Sequence, residues 1–258
     1  SPKEGQPRAK AAAEKALLLD KTLAEAHASL AVILTNEWDW RGAGKGFKRS
    51  IKLNPRYPTA RQWYAFYLTA LGRLKEAVGE MERAQELDPL SVIINRDLGL
   101  VYYYARRLDQ AIEQCRKTLE LDPNFALAHQ ALGRAYLQKG MFQEAVAAMR
   151  KAASLARDNV AMSSSLAHAL AITGNGAEAR NILSHLIERA KQTYVSPTSL
   201  AVIYAGLGEK EEALRMLEKA LDERNVGLLT LKVHPVFDCL RSEARFQHLL
   251  RRIGLLLD

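Results

Sequence analysis

The stretch "TLELDPNFALAHQALGRAYLQKG", residues 118–140, closes one helix and writes another. Leu127, Ala131, Leu132, Ala135 and Tyr136 fall on one face at helical spacing, an apolar stripe that needs a partner. Asp122 and Pro123 end the preceding helix, because proline disfavours helical backbone in the residue before it. Gly140 stands where the new helix must stop on a left-handed residue.

The pattern recurs. "SIKLNPRY", "AQELDPLS" and "TLELDPNF" place Pro55, Pro89 and Pro123 at intervals of 34 residues. In the same phase lie Ala43, Ala77, Ala111, Ala145, Ala179 and Ala213, with no insertion or deletion between them. A second column reads Leu30, Tyr64, Leu98, Leu132, Leu166 and Leu200. Each is followed by a small residue: Ala31, Ala65, Gly99, Gly133, Ala167 and Ala201. A third holds Leu34, Leu68, Tyr102, Tyr136, Leu170 and Tyr204. Each unit writes two amphipathic helices that cannot bury their stripes alone, so neighbouring units must stack.

This 34-residue grammar resembles the tetratricopeptide repeat family. The resemblance implies an all-α fold: a right-handed superhelix of antiparallel helix pairs, closed by a C-terminal capping helix. Six full repeats are expected at 24–57, 58–91, 92–125, 126–159, 160–193 and 194–227. Residues 7–23 would be the second helix of a truncated repeat, completing an array over 1–227, with a cap over 228–258. In the cap, Phe246, Leu249, Leu250 and Ile253 form the stripe, with Ser242 as N-cap and Gly254 as stop. Pro235, Phe237 and Leu240 would fold over the last repeat.

In this family the first helix of each repeat lines a concave groove. The resemblance carries ligand-facing positions onto Gln62, Phe66, Arg96, Tyr103, Gln130, Arg134 and His168. Arg96 and Arg134 suit an acidic or phosphorylated segment, since guanidinium pairs with such groups in a two-pronged fashion. No repeat has the Lys-x-x-x-Asn pair with which chaperone-binding members clamp a terminal carboxylate, so that mode is excluded. The expected function is a non-catalytic scaffold that binds a peptide or protein in the groove. The segments "QWYAFYLTALGRLKEA" and "LKVHPVFDCLRSEARFQHLLRRIGL" further resemble the C-terminal repeat module of bacterial multidomain signalling proteins. These include CadC-like winged-helix regulators, serine/threonine kinases and nucleotide cyclases. A sensory or assembly role in such a protein is what that likeness implies.

Composition sets the remaining bounds. The chain has 258 residues, 26% of them charged, a net charge of +8 and two cysteines, Cys115 and Cys239. No apolar run reaches the roughly 20 residues that span a bilayer, and a cytoplasmic setting is expected. The positive charge raises nucleic acid as an alternative partner, but basic and acidic residues alternate along the helices as they do on solvated faces. GxSxG, HExxH and Rossmann glycine patterns are absent from the sequence, so no catalytic residue or cofactor is expected. His234, Asp238, Cys239 and His248 lack the spacing of zinc ligands. Cys115 shares a column with Phe47, Met81, Met149, Leu183 and Leu217 and reads as a core thiol, while His27 and His129 share another and read as packing residues. "DWRGAGKGFKRS", residues 39–50, has the look of a phosphate loop, yet its register makes it the second helix of the first repeat. Gly44 and Gly46 should each cost that helix about 1 kcal/mol relative to alanine, which predicts fraying there. The uncovered half repeat at the N-terminus offers an edge for homodimerisation.

Overall fold

The computed structural model describes residues 2–256. The helices are α1 (Pro2–Leu19), α2 (Ala24–Asn36), α3 (Trp40–Leu53), α4 (Pro58–Ala70), α5 (Leu74–Leu87), α6 (Val92–Tyr104) and α7 (Leu108–Leu121). They continue with α8 (Ala126–Gln138), α9 (Phe142–Leu155), α10 (Val160–Ile172), α11 (Gly176–Arg189), α12 (Pro197–Gly206), α13 (Lys210–Asp222) and α14 (Ala244–Arg252). Two short 3-10 helices, Val226–Thr230 and Pro235–Leu240, lie between α13 and α14. From α2 to α13 the helices pair as the 34-residue register requires, and each pair packs on the next. No helix among the described residues is long and apolar enough to cross a membrane.

The alanine column from Ala43 to Ala213 is fully buried in every repeat. In two repeats the glycine of the first helix meets a larger side chain of the second. A Cβ added to Gly99 would lie 2.7 Å from Cys115 Sγ, and one on Gly133 would lie 2.6 Å from Met149 Cγ. Glycine stands there because the facing side chain occupies the volume of a methyl group. Cys115 is buried as expected, and burial pushes its thiol up to about 12.

The turn inside each pair follows one design. Residues 38, 72, 106, 140, 174 and 208 are all left-handed, at φ between 61° and 88°. The next amide in each case donates to the carbonyl of the third column: Asp39 to Leu34, Arg73 to Leu68, Arg107 to Tyr102, Met141 to Tyr136, Asn175 to Leu170 and Glu209 to Tyr204, at 2.8–3.0 Å. These 6→1 bonds satisfy carbonyls that the helix end leaves open. The turn between repeats has its own tie. Side chains at 27, 61, 95 and 129 donate to the carbonyl six residues back, on Lys21, Pro55, Pro89 and Pro123, at 2.7–3.3 Å. His27 and His129 therefore pin turns through Nε2, a role their expected assignment to packing misses.

"DWRGAGKGFKRS" is helical from Trp40 onward, with the Asp39 side chain accepting from the Gly42 amide as N-cap. Its glycines admit neighbours. A Cβ on Gly44 would lie 2.6 Å from Tyr67 Oη, and one on Gly46 would lie 2.9 Å from Ala31 Cβ. The hydroxyl that uses the first gap donates to Trp40 O at 2.7 Å.

Beyond α13 the structure departs from a simple cap. α14 does cover the last repeat, with Arg245 paired to Glu211 and Glu218 of α13, and Gly254 ends it at φ 71°. Its N-cap is Glu243 rather than Ser242. The 3-10 helix Pro235–Leu240 packs on α12 and α13 of the last repeat, as expected. Residues 224–240 also run back along the inner face of the array.

Candidate functional site

The first helices of the repeats pack on one another in succession, α2 on α4, α4 on α6, α6 on α8, α8 on α10 and α10 on α12. They form the inner wall of the solenoid, and the tail lies against that wall. Arg224 sits over the Trp38 ring, 5.5 Å from its centroid, at the turn of the first repeat. Lys232 Nζ donates to Leu71 O at 3.0 Å, at the turn of the second. Asp238 accepts two bonds from Arg106, at 2.7 and 2.8 Å, at the turn of the third. Three successive turns thus hold three points of the tail. Further on, Trp40 Nε1 donates to Ile253 O at 2.7 Å, tying the first repeat to the end of α14.

Between those anchors the tail buries Leu228, Leu231, Val233, Val236 and Phe237. His234 is wedged against Tyr103 and Tyr104, with ring centroids 6.0 and 5.5 Å away. Its Nδ1 accepts the Val236 amide at 3.2 Å, which leaves the proton of the neutral ring on Nε2. Burial and the nearby Arg134 charge hold His234 well below the usual imidazole range.

The seven groove residues expected from the sequence occupy different surroundings. Phe66 is half-buried beside an apolar cavity of about 310 Å³, closed on the tail side by Val226 and Leu229. Tyr103 is fully buried under His234. Gln62 Nε2 donates to Asp97 Oδ2 at 2.6 Å, inside the wall. Arg96 is spent on the same carboxylate, Nη1 to Oδ1 at 2.8 Å. Burial raises the Asp97 carboxyl above its ordinary range, opposed by Arg96 and by the bond from Gln62. Gln130 Nε2 bonds Ala161 O at 3.1 Å and Ser165 Oγ at 2.9 Å. His168 is buried, and desolvation, with help from the Arg134 charge, lowers it to about 4. Arg134 alone among the seven carries a charge with no carboxylate in ion-pairing reach among the described residues. Its Nη2 donates to Ser165 Oγ at 3.1 Å.

Asp238 and His234 face separate partners, Arg106 and the tyrosines, so they do not converge on a metal. What the residue-by-residue reading of the groove did not reveal is its occupant. A signal was present: the left-handed column is glycine in four repeats but Trp38 and Arg106 in two, and both of those side chains grip the tail.

Models of the tetratricopeptide repeat match residues 67–124 and 96–160, 137–196, and 198–226. The chain belongs to the tetratricopeptide repeat family. Among solved structures it is similar to MamA, at 27% identity and TM-score 0.50, over 59% of this chain and 90% of that one. A tetratricopeptide repeat protein from Parabacteroides merdae matches over 97% of this chain and 93% of its own, at 15% identity and TM-score 0.69. PilW, described as a type IV pilus biogenesis factor, matches over 74% and 88%, at 21% identity and TM-score 0.61. The last two likenesses are of fold. No curated protein matches the sequence.

Proposed function

We propose that this tetratricopeptide repeat protein is a non-catalytic scaffold whose concave groove takes up a segment of a partner protein in place of its own tail. The supporting observation is the tail itself. Residues 224–240 occupy the groove through an acid on Arg106, a cation on a turn carbonyl and an imidazole between tyrosines. A partner segment with an acidic residue spaced from an aromatic one would meet the same anchors, consistent with an acidic preference. The Arg106–Asp238 anchor is solvated whereas Leu228, Leu231 and Phe237 are buried, so a displacing segment must supply apolar side chains as well as an acid.

The test loosens the tail without emptying the core. Arg106→Gly restores the glycine of the other repeats and removes the bond to Asp238. This variant should capture a partner more strongly than the wild type, and a synthetic peptide of residues 224–242 should compete the partner away. Partners that bind both proteins equally and ignore the peptide would place recognition elsewhere.

The likeness to bacterial signalling modules supports a sensory or assembly role for the chain in the cytoplasm. Nucleic acid is a weaker reading, resting on the net charge of +8, and many of the cations it would use are paired, such as Arg150 with Glu178 and Arg245 with Glu218. Leu18 and Leu19 on α1, 80% and 81% exposed, are the surface for self-association. A monomer by light scattering at high concentration would remove that last assignment.

A further inference from the structure

Between α8, α10, α12 and the tail lies a cleft of about 210 Å³. Its polar lining comes from Tyr104, Arg134, Ser164, Ser165, Thr198, Ser199, Thr230 and His234, and no carboxylate lines it. A half-buried guanidinium normally finds an acid, as Arg96 finds Asp97 and Arg61 finds Glu80. Arg134 finds only a serine hydroxyl.

Ser164 and Thr198 donate within the protein, to Val160 O and Asn225 Oδ1, but four other donors around the cleft are uncommitted. Ser165 Oγ already accepts from Gln130 and Arg134, so its own hydrogen is free to donate. His234 accepts at Nδ1 and therefore presents Nε2–H. The hydroxyls of Ser199 and Thr230 form no bond within the described residues. Ser199 also stands in the first turn of α12, whose N-terminal end carries partial positive charge. The field of Arg134 is felt by both neighbouring imidazoles, His168 and His234, which it helps keep neutral. A cleft that offers a cation and several donors, with no anion of its own, has the chemistry of an oxyanion site.

We propose that this cleft binds a small oxyanion, a carboxylate or phosphate group, held by Arg134 with Ser165, Ser199, Thr230 and His234. Arg134, Ser165 and Ser199 belong to the repeats, whereas Thr230 and His234 belong to the tail. The ligand therefore bridges the two and binds only when the tail is docked. The site needs no second protein, and because it exists only with the tail docked its ligand opposes the exchange proposed above.

Thermal unfolding of the full chain tests it, with sodium phosphate and sodium acetate each titrated through the millimolar range against chloride at matched ionic strength. An oxyanion tenfold above its dissociation constant raises the midpoint by about 3–6 °C. The effect should vanish in Arg134→Gln, which keeps a donor but removes the charge. Ser199→Ala, at a partly exposed hydroxyl with no internal bond, leaves the fold intact and should weaken the effect several-fold. A response to phosphate alone names a phosphate-bearing ligand, and a response to acetate alone names a carboxylate. Two results overturn the site. One is no response to either anion; the other is an equal response in wild type and both variants, the signature of general salt exclusion from the surface.

Discussion

His168 shows how a single side chain ties stability to pH. It is buried and titrates near 4 in the folded chain, against about 6.5 when unfolded. Its surroundings add positive charge from Arg134 on α8 and a second neutral imidazole, His234, from the tail. Below pH 6.5 the unfolded chain binds a proton that the folded chain refuses. Stability is therefore full at neutral pH and falls as pH drops from about 6.5 towards 4, by on the order of 2–3 kcal/mol from this group. Urea unfolding at stepped pH should show that decline, and His168→Gln should reduce it, leaving the part that the buried His234 contributes. A slope unchanged in the variant would assign the acid sensitivity to other groups. The sequence expected His168 to face a ligand from the inner side of its helix, but it could not show that the side chain would be buried. That depended on the tail, some 66 positions later in the chain by the His168–His234 pairing.

At the scale of the helix, glycine has two opposite meanings here. In α5, Gly79 has nothing within 4 Å of a built Cβ, so Gly79→Ala should stabilise by about 0.5–1 kcal/mol through helix propensity alone. In α3, Gly44→Ala gains the same propensity but drives a methyl group into Tyr67 Oη and its bond to Trp40 O. The net change there should be a loss of about 1–3 kcal/mol. Thermal melts of the two variants should move in opposite directions, and a stabilised Gly44→Ala would mean that Tyr67 gives way freely. Propensity read from sequence marks α3 as prone to fray, and hydrogen exchange can compare its amides with those of residues 75–87. The helices themselves were legible because a strict 34-residue register repeats each decision six times. The glycines were not, because their reason is a neighbour 23 residues away in sequence, Tyr67 for Gly44, that no local pattern announces.

For the whole molecule, the repeat register yields the array but not its closure. A cap over the end of a solenoid is the general expectation, because the last apolar face needs covering. The tail does cover the last repeat, with Pro235–Leu240 on α12 and α13 and α14 on α13, and it also meets the turns of the first three repeats. Only Trp38 and Arg106, left-handed at a cost of about 1–2 kcal/mol each where other repeats use glycine, hinted that those turns do something further. Removing residues 226–258 should convert one cooperative urea transition into a broader, lower one with a smaller slope. An unchanged transition would show that the tail adds no coupling between repeats.

The hydrogen bond from Trp40 to Ile253 spans 213 positions. An open solenoid is indifferent to its own length, and a repeat added in its middle changes little. This one is measured. Residues 224–253 reach from the last repeat back to the first and meet a tryptophan, a glycine and an arginine in three consecutive turns. Inserting a repeat between the first and the last would change the span the tail must bridge, so the tail sets the separation of those two repeats.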